Sequence, residues 1–533
     1  MNNASQDQPL TTQRAELLAR LARPHQYDLA VVGGGATGLG VALDAAARGL
    51  SVVLLESHDF AKGTSSRATK LVHGGVRYLA QGDIALVREA LHERTTLLRN
   101  APHLAQPLAF VMPSYKWWET PFYGAGLKMY DALAGAAGLC PTEFMGRMET
   151  LRCLPTAMAD GLKGGVKYWD GQFDDARLAL ALARTAARQG ALVLNYCPVS
   201  DLLYQDGKVA GVVCQDAETG TRYEVRARCV VNATGVWVDE LRQCDGAHAG
   251  QKAKPMVAPS QGVHIVVDRD FLPSDHALMV PKTADGRVLF AVPWLGKLIL
   301  GTTDSPRQDL QREPLAMREE VAFILGESAR YLRRAPQAVD VRSIWVGLRP
   351  LVKPQHDDGG STKKISREHT VITSRSGLVT VTGGKWTTYR AMAEDVLQQC
   401  MDDRLLAPRP GGVTVALPLV GANSVRRRPG MNAAQGLHSY GAEADWVTGL
   451  PGADAVLAGG LTEAMVRFAV RHEYARTVED VLARRARVLF LDAGLAAQLA
   501  PAVAAILAEE LPGHDPGLQP FLALAQQYAT IPM

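Results

Sequence analysis

The chain has 533 residues, which is too long for one ordinary hydrophobic core and predicts two or three domains. Its composition, 47% hydrophobic and 21% charged residues, is typical of a soluble globular protein and excludes a disordered chain or a coiled coil. The net charge is only +3, and the longest run of like charge, three arginines at 426–428, is too short for a nucleic-acid patch, so no nucleic-acid partner is predicted.

Cysteine usage and the start of the chain indicate the compartment. The seven cysteines are scattered and never spaced as C-x-x-C, which predicts reduced thiols in the cytoplasm, without disulfides and without a metal site. No segment has the 18 uninterrupted apolar residues of a spanning helix, and residues 1–26 lack the apolar core of a secretory signal. We interpret 1–26 as a leader and expect a protein that is soluble or attached to one membrane face.

The stretch VVGGGATGLGVALDAAARGLSVVLLE carries the most informative motif. An apolar strand runs into a Gly-x-Gly-x-x-Gly turn, a helix follows as far as Arg48, and a second apolar strand ends on Glu56. The glycines are Gly33, Gly35 and Gly38. They permit a tight turn and close approach of the backbone to a pyrophosphate, and the acid can bind ribose hydroxyls. This spacing predicts an adenine dinucleotide site.

The motif alone leaves FAD and NAD open. The next segment, GTSSRATKLVHGG, places hydroxyls and glycines just beyond the second strand, which suits a cofactor that continues past its pyrophosphate into the protein. Two later segments, CVVNATGVWVDEL and LVTVTGGKWTTYRAMAEDVL, each read as a strand followed by a glycine turn. Either they return to the same sheet or they are ordinary turns between strand and helix.

The stretch KLVHGGVRYL combines a Gly-Gly hinge with four side chains that donate or exchange protons: Lys70, His73, Arg77 and Tyr78. We expect its backbone to approach a ligand closely. Taken alone, His73 could equally cap a turn and Arg77 lie on a solvated helix face.

The segment from Tyr115 to Leu139 is rich in aromatic residues. It supplies side chains that favour a membrane interface and lysines that suit anionic lipid: Trp117, Trp118, Phe122, Tyr123, Lys116 and Lys128. The alternative is an ordinary helical excursion packed on a sheet.

Downstream, the alternating stretches GVHIVVDR and RVLFAVPW predict strands of a second sheet. Thr302 and Thr303 supply hydroxyls at a strand end, or cap the turn at Asp304. Arg349 precedes a proline and is expected to end a strand; a surface ion pair is the alternative. Lys385 follows two glycines at a predicted helix N-terminus, where dipole and amides already favour anions. Beyond the Pro- and Gly-rich segment 407–412, apolar residues recur at helical spacing.

These motifs together resemble the aerobic, FAD-dependent glycerol-3-phosphate dehydrogenases, within the wider glycine oxidase and D-amino-acid oxidase family of flavoproteins. The matching pieces run in family order from about residue 27 to 395, and the C-terminal VRHEYARTVEDVLARRAR resembles the helical domain that distinguishes this family from the smaller oxidases. The other pieces are VVGGGATGLGVALDAAARGLSVVLLE, TSSRATKLVHGGVRYL, FDDARLALALARTAARQGA, VVNATGVWV, LILGTTD, VGLRPL and GGKWTTYR.

The resemblance implies an α/β fold: a Rossmann-like FAD-binding domain with an inserted antiparallel-sheet substrate domain and a C-terminal α-helical domain. The implied FAD-binding domain is discontinuous, comprising 27–105, 172–250 and 350–405. The substrate domain would comprise 106–171 and 251–349, and the helical domain 406–533.

FAD, held non-covalently, is the cofactor that the resemblance implies. The residues expected to bind it are Gly33, Gly35, Gly38, Glu56, Thr64, Ser65, Ser66, Lys70, His73, Gly74, Gly75, Ala233, Gly235, Gly384, Lys385 and Thr387.

The implied reaction is oxidation of sn-glycerol 3-phosphate to dihydroxyacetone phosphate by hydride transfer to FAD. The expected substrate-binding residues are Arg77, Tyr78, Thr302, Thr303, Arg349 and Lys385. His73, His264 and Arg349 are the expected catalytic residues. Either histidine suits proton uptake near neutral pH, and the sequence does not choose between them.

The resemblance also implies that electrons pass to a membrane quinone, and that the protein rests on the inner, cytoplasmic face of the cytoplasmic membrane. Two other functions stay open: a related oxidase that uses oxygen, and a non-catalytic flavoprotein or membrane scaffold. The basic residues Arg77, Arg349 and Lys385 argue against a scaffold, which needs no such cluster. A homodimer is left open.

Overall fold

The computed structural model describes residues 8–75, 83–283, 286–353, 369–423 and 429–532. The strands in these ranges are, in chain order, β1 Gln26–Val32, β2 Val52–Leu55, β3 Leu71–Val72, β4 Ala105–Ser114, β5 Glu143–Gly146, β6 Gly164–Phe173, β7 Leu192–Leu194, β8 Val199–Gln205, β9 Lys208–Gln215, β10 Arg222–Asn232, β11 Val257–Asp268, β12 Ala277–Val280, β13 Leu289–Trp294, β14 Lys297–Gly301, β15 Ser305–Pro306, β16 Ser343–Val352, β17 His369–Thr373, β18 Leu378–Gly383, β19 Val456–Ala458 and β20 Leu461–Thr462.

The α-helices in the same ranges are Arg14–Leu21, Ala36–Ala47, Ile84–Asn100, Glu119–Ala134, Arg147–Cys153, Asp175–Arg188, Val238–His248, Arg318–Tyr331, Tyr389–Asp402, Ala444–Thr448, Glu463–His472, Val488–Leu491, Ala493–Glu510 and Leu518–Ala529. A π-helix spans Asp480–Arg485, and single 3-10 turns at Thr64–Ser66 and Trp386–Thr388 lie beside the site described below.

The first sheet is the core of the predicted cofactor domain. Its strands lie in the order β17, β18, β10, β1, β2 and β7, and β9 and β8 extend β10 on one side. β1 pairs in parallel with both β2 and β10, and the helices Ala36–Ala47, Asp175–Arg188 and Tyr389–Asp402 pack together against the sheet. The helices cover one face of the sheet and side chains of β8 and β9 pack on the other, so residues 29–32 of β1 and all of β2 are buried and apolar. The carboxyl ends of these strands therefore meet at one edge, where ligands bind in such folds.

The second sheet has the order β15, β11, β14, β13, β12, β4, β6 and β3, with β16 paired to β11 and β5 paired to β6. All of its pairs are antiparallel except β4 with β12. β3 belongs to this sheet, so the segment between Leu55 and Leu71 connects the two sheets. The expected antiparallel sheet is confirmed, while the numerical domain boundaries stay a prediction.

The C-terminal region is helical, as expected. Its three longest helices pack on one another and enclose buried side chains such as Phe468, Leu482 and Val503. The same apolar core continues into the second sheet through Trp294 and Trp345. The C-terminal domain is therefore packed against the sheet.

Among the described helices, Ala493–Glu510 is long and apolar enough to cross a membrane by length and composition alone. One face of this helix, including Ala496, Val503 and Leu507, is buried within the C-terminal core. This pattern of burial is typical of a helix that packs in the core of a domain.

All seven cysteines lie within the described ranges, and all are free thiols. Across those ranges, no group of three or more His, Cys, Asp or Glu side chains could hold a metal ion.

Candidate active site

The glycine turn after β1 has the geometry that its sequence predicts. Gly33 has φ +112°, and a Cβ there would lie 2.6 Å from the carbonyl oxygen of Ala233. A Cβ at Gly38 would lie 1.9 Å from the carbonyl oxygen of Gly33. Side chains at these positions are therefore excluded, and the turn brings β1, the following helix and the end of β10 into contact.

Glu56 lies directly beside this turn. One carboxylate oxygen accepts a hydrogen bond from the backbone N–H of Gly34 at 2.6 Å. The other accepts from the backbone N–H of His58 at 2.9 Å and from the hydroxyl of Ser57 at 3.0 Å. The acid that follows the second strand is thus fixed beside the glycine turn.

A cavity of about 310 Å³, here called the cofactor cavity, opens at the carboxyl ends of β1, β2 and β10. It brings together many residues that the sequence predicts to bind FAD: Gly33, Gly35, Glu56, Thr64, Ser65, Ala233 and Gly235. A Cβ at Gly35 would lie 3.2 Å from the hydroxyl of Ser65, so the backbone itself forms this part of the wall.

The cofactor cavity also contains residues that sequence reasoning missed. Arg312 lies over the indole of Trp237, with its guanidinium carbon 3.9 Å from the ring centre, and both line the cavity. The Trp237 indole N–H donates to the carbonyl oxygen of Leu310 at 3.1 Å. His58 and Lys62 lie on another part of the wall. Trp237 lies within the segment VVNATGVWV, but nothing in the sequence indicates that it contacts the loop that contains Leu310 and Arg312.

A second cavity of about 230 Å³, here called the substrate cavity, adjoins the first at Thr64, which lines both. It collects the predicted residues His73, His264, Arg349, Gly384, Lys385 and Thr387. Arg67, Thr69, Phe290 and Trp386 also line it and were not predicted.

His264 is buried on β11 at the wall of the substrate cavity. Its Nε2 lies 3.0 Å from the hydroxyl of Thr69, and its ring stacks on Trp345 with centroids 4.1 Å apart. Within the described part of the chain, its Nδ1 has no hydrogen-bond partner. Burial, together with the positive charges of Arg349 and Lys70, lowers the pKa of His264 well below its usual 6.5. The imidazole is therefore neutral at neutral pH.

Arg349 reaches the substrate cavity from β16. Its Nη2 donates to the hydroxyl of Thr302 at 3.2 Å and to the carbonyl oxygen of Thr303 at 3.1 Å, and its Nη1 lies 3.3 Å from a carboxylate oxygen of Asp304. The expectation that Arg349 ends a strand is wrong, because β16 continues to Val352. Among the described strands β16 pairs with β11 alone, and an edge strand tolerates the proline.

The two predicted threonines support Arg349 and do not line the substrate cavity. The Thr303 hydroxyl donates to Glu320 at 2.9 Å and accepts from the backbone N–H of Val263 at 3.0 Å. Thr302 is the acceptor that holds Arg349 Nη2.

Lys385 lies where a helix begins, as expected. It precedes the turn Trp386–Thr388, which leads into the helix Tyr389–Asp402, and the preceding Gly383 and Gly384 have φ +85° and +70°. The Trp386 indole N–H donates to the carbonyl oxygen of Ser65 at 2.8 Å, which ties this turn to the cofactor cavity. The cation and the helix N-terminus together favour an anion here.

Lys70 lines neither cavity, contrary to its predicted contact with the cofactor. Its ammonium donates to the carboxylate of Asp175 at 2.7 Å and to the carbonyl oxygen of Ser66 at 2.8 Å. The side chain is fully buried, and that burial lowers the pKa of Lys70 to about 7 despite the nearby carboxylate of Asp175. Lys70 is therefore a packing residue of the interior.

Four other residues expected to bind the cofactor do not line the two cavities: Gly38, Ser66, Gly74 and Gly75. A Cβ at Gly74 would lie 2.2 Å from the hydroxyl of Tyr130, so this glycine permits close packing against a helix. Arg77 and Tyr78, expected to bind substrate, lie outside the described residues.

Comparison with protein families yields two matches. The model described as FAD dependent oxidoreductase matches residues 28–390. The model described as the C-terminal domain of alpha-glycerophosphate oxidase matches residues 381–515.

Similar proteins include the mitochondrial glycerol-3-phosphate dehydrogenase of Homo sapiens, 40% identical over 97% of this chain and 75% of that protein. A mitochondrial glycerol-3-phosphate dehydrogenase of Arabidopsis thaliana is 40% identical over 94% of this chain and 85% of its own length. Among solved structures, the glycerol-3-phosphate dehydrogenase of Bacillus halodurans complexed with FAD is 30% identical, with a TM-score of 0.75 over 97% of this chain and 98% of that one.

Proposed function

This chain belongs to the family of FAD-dependent glycerol-3-phosphate dehydrogenases, and we propose from that membership and from its site that it oxidises sn-glycerol 3-phosphate to dihydroxyacetone phosphate. The observation that carries the proposal is the junction at Thr64. There the cofactor cavity meets a cavity lined by Arg349, Lys385 and two histidines.

The cofactor cavity fits FAD. Gly33 and Gly35 line the cavity where the helix Ala36–Ala47 begins, and the dipole of that helix favours the charge of a pyrophosphate. Glu56 on the same wall would bind the ribose. When bound, FAD supplies the acceptor for the hydride that leaves the substrate carbon. The residues that would hold it are those of the cofactor cavity, with Lys385 and Thr387 from the adjoining substrate cavity.

The substrate cavity suits a phosphorylated alcohol. A phosphate monoester carries close to two negative charges, and a guanidinium can bind it through two parallel hydrogen bonds. Arg349 is held by Thr302 and by backbone carbonyls, so its guanidinium is already oriented before substrate binds. Lys385 adds a second positive charge at a helix N-terminus. These two cations would bind and orient the substrate.

Oxidation of the alcohol also requires a proton acceptor for the hydroxyl group. His73 and His264 both line the substrate cavity and are the candidates. His264 is held on Thr69 and Trp345 and is neutral at neutral pH, so it can accept a proton, but its lowered pKa makes it a weaker base than an ordinary histidine.

For the electron acceptor we propose a membrane quinone, reached at the inner face of the cytoplasmic membrane. The helix Glu119–Ala134 buries Leu127 and Tyr130 against the fold, while Phe122 on the same helix is 66% exposed and Trp117 just before it is 82% exposed. Large aromatic side chains exposed in this way favour a membrane interface.

Phe144, on β5, enlarges this surface. A Cβ at Gly124 would lie 2.0 Å from the ring of Phe144, so Phe144 packs on the same helix while remaining 51% exposed. We call Trp117, Trp118, Phe122 and Phe144 the aromatic patch.

Steady-state assays with a soluble dye acceptor test the proposed substrate. We expect reduction of the dye with sn-glycerol 3-phosphate and little with glycerol, lactate or glycine, since these lack the phosphate that Arg349 and Lys385 would bind. Equal rates with glycerol would contradict a phosphate site. Hydrogen peroxide formed in proportion to substrate, with no activity towards quinone, would identify an oxygen-using oxidase instead.

A further inference from the structure

One wall of the cofactor cavity is a single irregular segment that follows β2. Residues 57–65, here called the cofactor loop, contribute seven cavity-lining residues: Ser57, His58, Ala61, Lys62, Gly63, Thr64 and Ser65. An irregular segment of this length has no sheet or long helix of its own to fix its shape. Its position must come from the groups that bind it.

The main anchor of the cofactor loop is Asp59, which is fully buried. Its carboxylate accepts a hydrogen bond from Arg485 Nη2 at 3.0 Å and also forms close ion pairs with Arg484 Nε and Arg485 Nη1. Asn195 donates to the same carboxylate at 3.2 Å. Both arginines are buried and lie in the C-terminal domain, so this contact joins parts of the chain more than 400 residues apart.

A second anchor lies at the rim of the cavity. The ammonium of Lys62 donates to Glu479 at 2.8 Å, and Arg484 Nη1 donates to the other oxygen of the same carboxylate at 2.8 Å. Arg484 therefore contacts the carboxylates of both anchors directly: Asp59, which belongs to the loop, and Glu479, which binds Lys62 of the loop.

An apolar contact extends the connection to the glycine turn itself. Phe60 is buried between Gly34, whose Cβ would lie 2.7 Å from the Phe60 ring, and Tyr474, whose ring centre is 5.3 Å away in an edge-to-face arrangement. The backbone N–H of Ala61 donates to the carbonyl oxygen of Gly34 at 2.9 Å.

A third arginine holds the end of the segment. Arg487 is fully buried, and its Nη2 donates to the carbonyl oxygen of Ser66 at 2.8 Å and to Asp175 at 3.1 Å. The run Arg484, Arg485 and Arg487 thus contacts the loop near its beginning and just beyond its end.

From these contacts we infer that residues 473–487 of the C-terminal domain are a clamp that positions the cofactor loop, so that retention of FAD depends on this domain. The inference rests on the FAD binding of the proposed function. Because coupling between two sites is reciprocal, bound FAD stabilises the docked C-terminal domain to the same extent. Asp59, Arg484, Arg485 and Glu479 are positioning residues, since they act on the cavity through the loop.

The test is the dissociation constant of FAD, measured by flavin fluorescence on folded apoprotein. Asp59→Asn keeps the shape of the side chain and removes the negative charge that two buried guanidiniums share, which weakens the attachment of the loop to both arginines. We expect the constant to rise roughly 5- to 150-fold, the range typical of coupling between sites. FAD should also protect the C-terminal domain of the wild-type protein from limited proteolysis, and protect this variant less.

Arg467→Gln is the matched control. Arg467 lies in the same domain and pairs with Glu510 at 2.9 Å and Glu509 at 2.7 Å, all outside the cofactor loop. This variant should lower the thermal midpoint while leaving the dissociation constant unchanged. An equal loss of FAD in the control would mean that the domain acts only through general stability and would overturn the clamp.

Glu479→Gln decides the matter if Asp59→Asn does not fold. Glu479 is partly exposed, so its replacement is tolerated more readily, and it contacts the loop through Lys62. The same weakening of FAD binding supports the clamp, and wild-type affinity in this variant overturns it. Failure of the wild-type protein to bind FAD would refute the proposed function itself, which distinguishes the two failures.

Discussion

Arg349 occupies the space directly above Gly262: a Cβ at Gly262 would lie 2.2 Å from Arg349 Nη2. Only glycine at this position on β11 leaves room for the guanidinium. Gly262→Ala should displace it and weaken one charge-assisted hydrogen bond to substrate, a loss of about 1.5–3 kcal/mol. We expect a Michaelis constant for sn-glycerol 3-phosphate that is at least tenfold higher, with FAD still bound. Unchanged kinetics would remove Arg349 from the substrate site.

Arg349→Lys tests the two-point hydrogen-bond geometry of the guanidinium separately from its charge. A lysine keeps the positive charge but loses the two-point geometry, so the Michaelis constant should rise strongly while the FAD content stays at the wild-type level. Dye-linked assays and the visible flavin spectrum measure the two quantities. A lysine variant with wild-type kinetics would show that charge alone is sufficient.

Glu56→Ala should weaken FAD retention. It removes the expected ribose contact and also the acceptor of the Gly34 N–H, which is 2.6 Å away in the structure. Hydrogen bonds from the ribose to a carboxylate contribute about 1.5–3 kcal/mol, so their loss should raise the dissociation constant roughly tenfold or more. Fluorescence titration of the apoprotein measures it. A variant that binds FAD normally would place the adenosine part elsewhere.

Replacement of Trp117 and Trp118 by serine tests the aromatic patch. Two indoles at a lipid interface contribute a few kcal/mol, on the order of a hundredfold in partitioning. The double variant should bind lipid vesicles less and turn over more slowly with a quinone, while flavin reduction and dye-linked activity stay normal. If dye and quinone activities fall together, these residues serve packing and the membrane proposal is wrong.

The depressed pKa of His264 predicts a dependence of stability on pH. Below its usual 6.5 the unfolded chain binds a proton at this residue that the folded protein does not, so the free energy of unfolding falls as the pH drops below 6.5. His264→Gln lacks this contribution. The slope of its free energy of unfolding against pH should therefore be smaller than that of the wild-type protein, by up to about 1.4 kcal/mol per pH unit. Thermal midpoints of both proteins between about pH 5 and 7.5 measure the difference. Parallel profiles would mean that His264 titrates normally.

The dinucleotide turn could be predicted from sequence because its determinants are local. The glycine spacing, the apolar strands and the acid at Glu56 lie within thirty residues of one another. The same holds for Lys385, whose two preceding glycines and following helix are adjacent in the chain.

Residues whose position depends on distant partners could not be predicted in this way. Lys70 points into the interior because Asp175, 105 positions later, binds its ammonium. Arg312 reaches the cofactor cavity only because the fold brings its loop over Trp237. The ion pairs between Asp59 and the arginines of the clamp could not be predicted either, although the ARRAR run lies within the segment VRHEYARTVEDVLARRAR that carries the family resemblance.

Anaerobic addition of sn-glycerol 3-phosphate to the FAD-loaded protein tests the central claim most directly. If the cofactor and substrate cavities form one site joined at Thr64, the oxidised-flavin absorbance should disappear and one equivalent of dihydroxyacetone phosphate should form per flavin. Glycerol without phosphate should leave the flavin oxidised on the same timescale. A flavin that stays oxidised with saturating sn-glycerol 3-phosphate would contradict the proposed function.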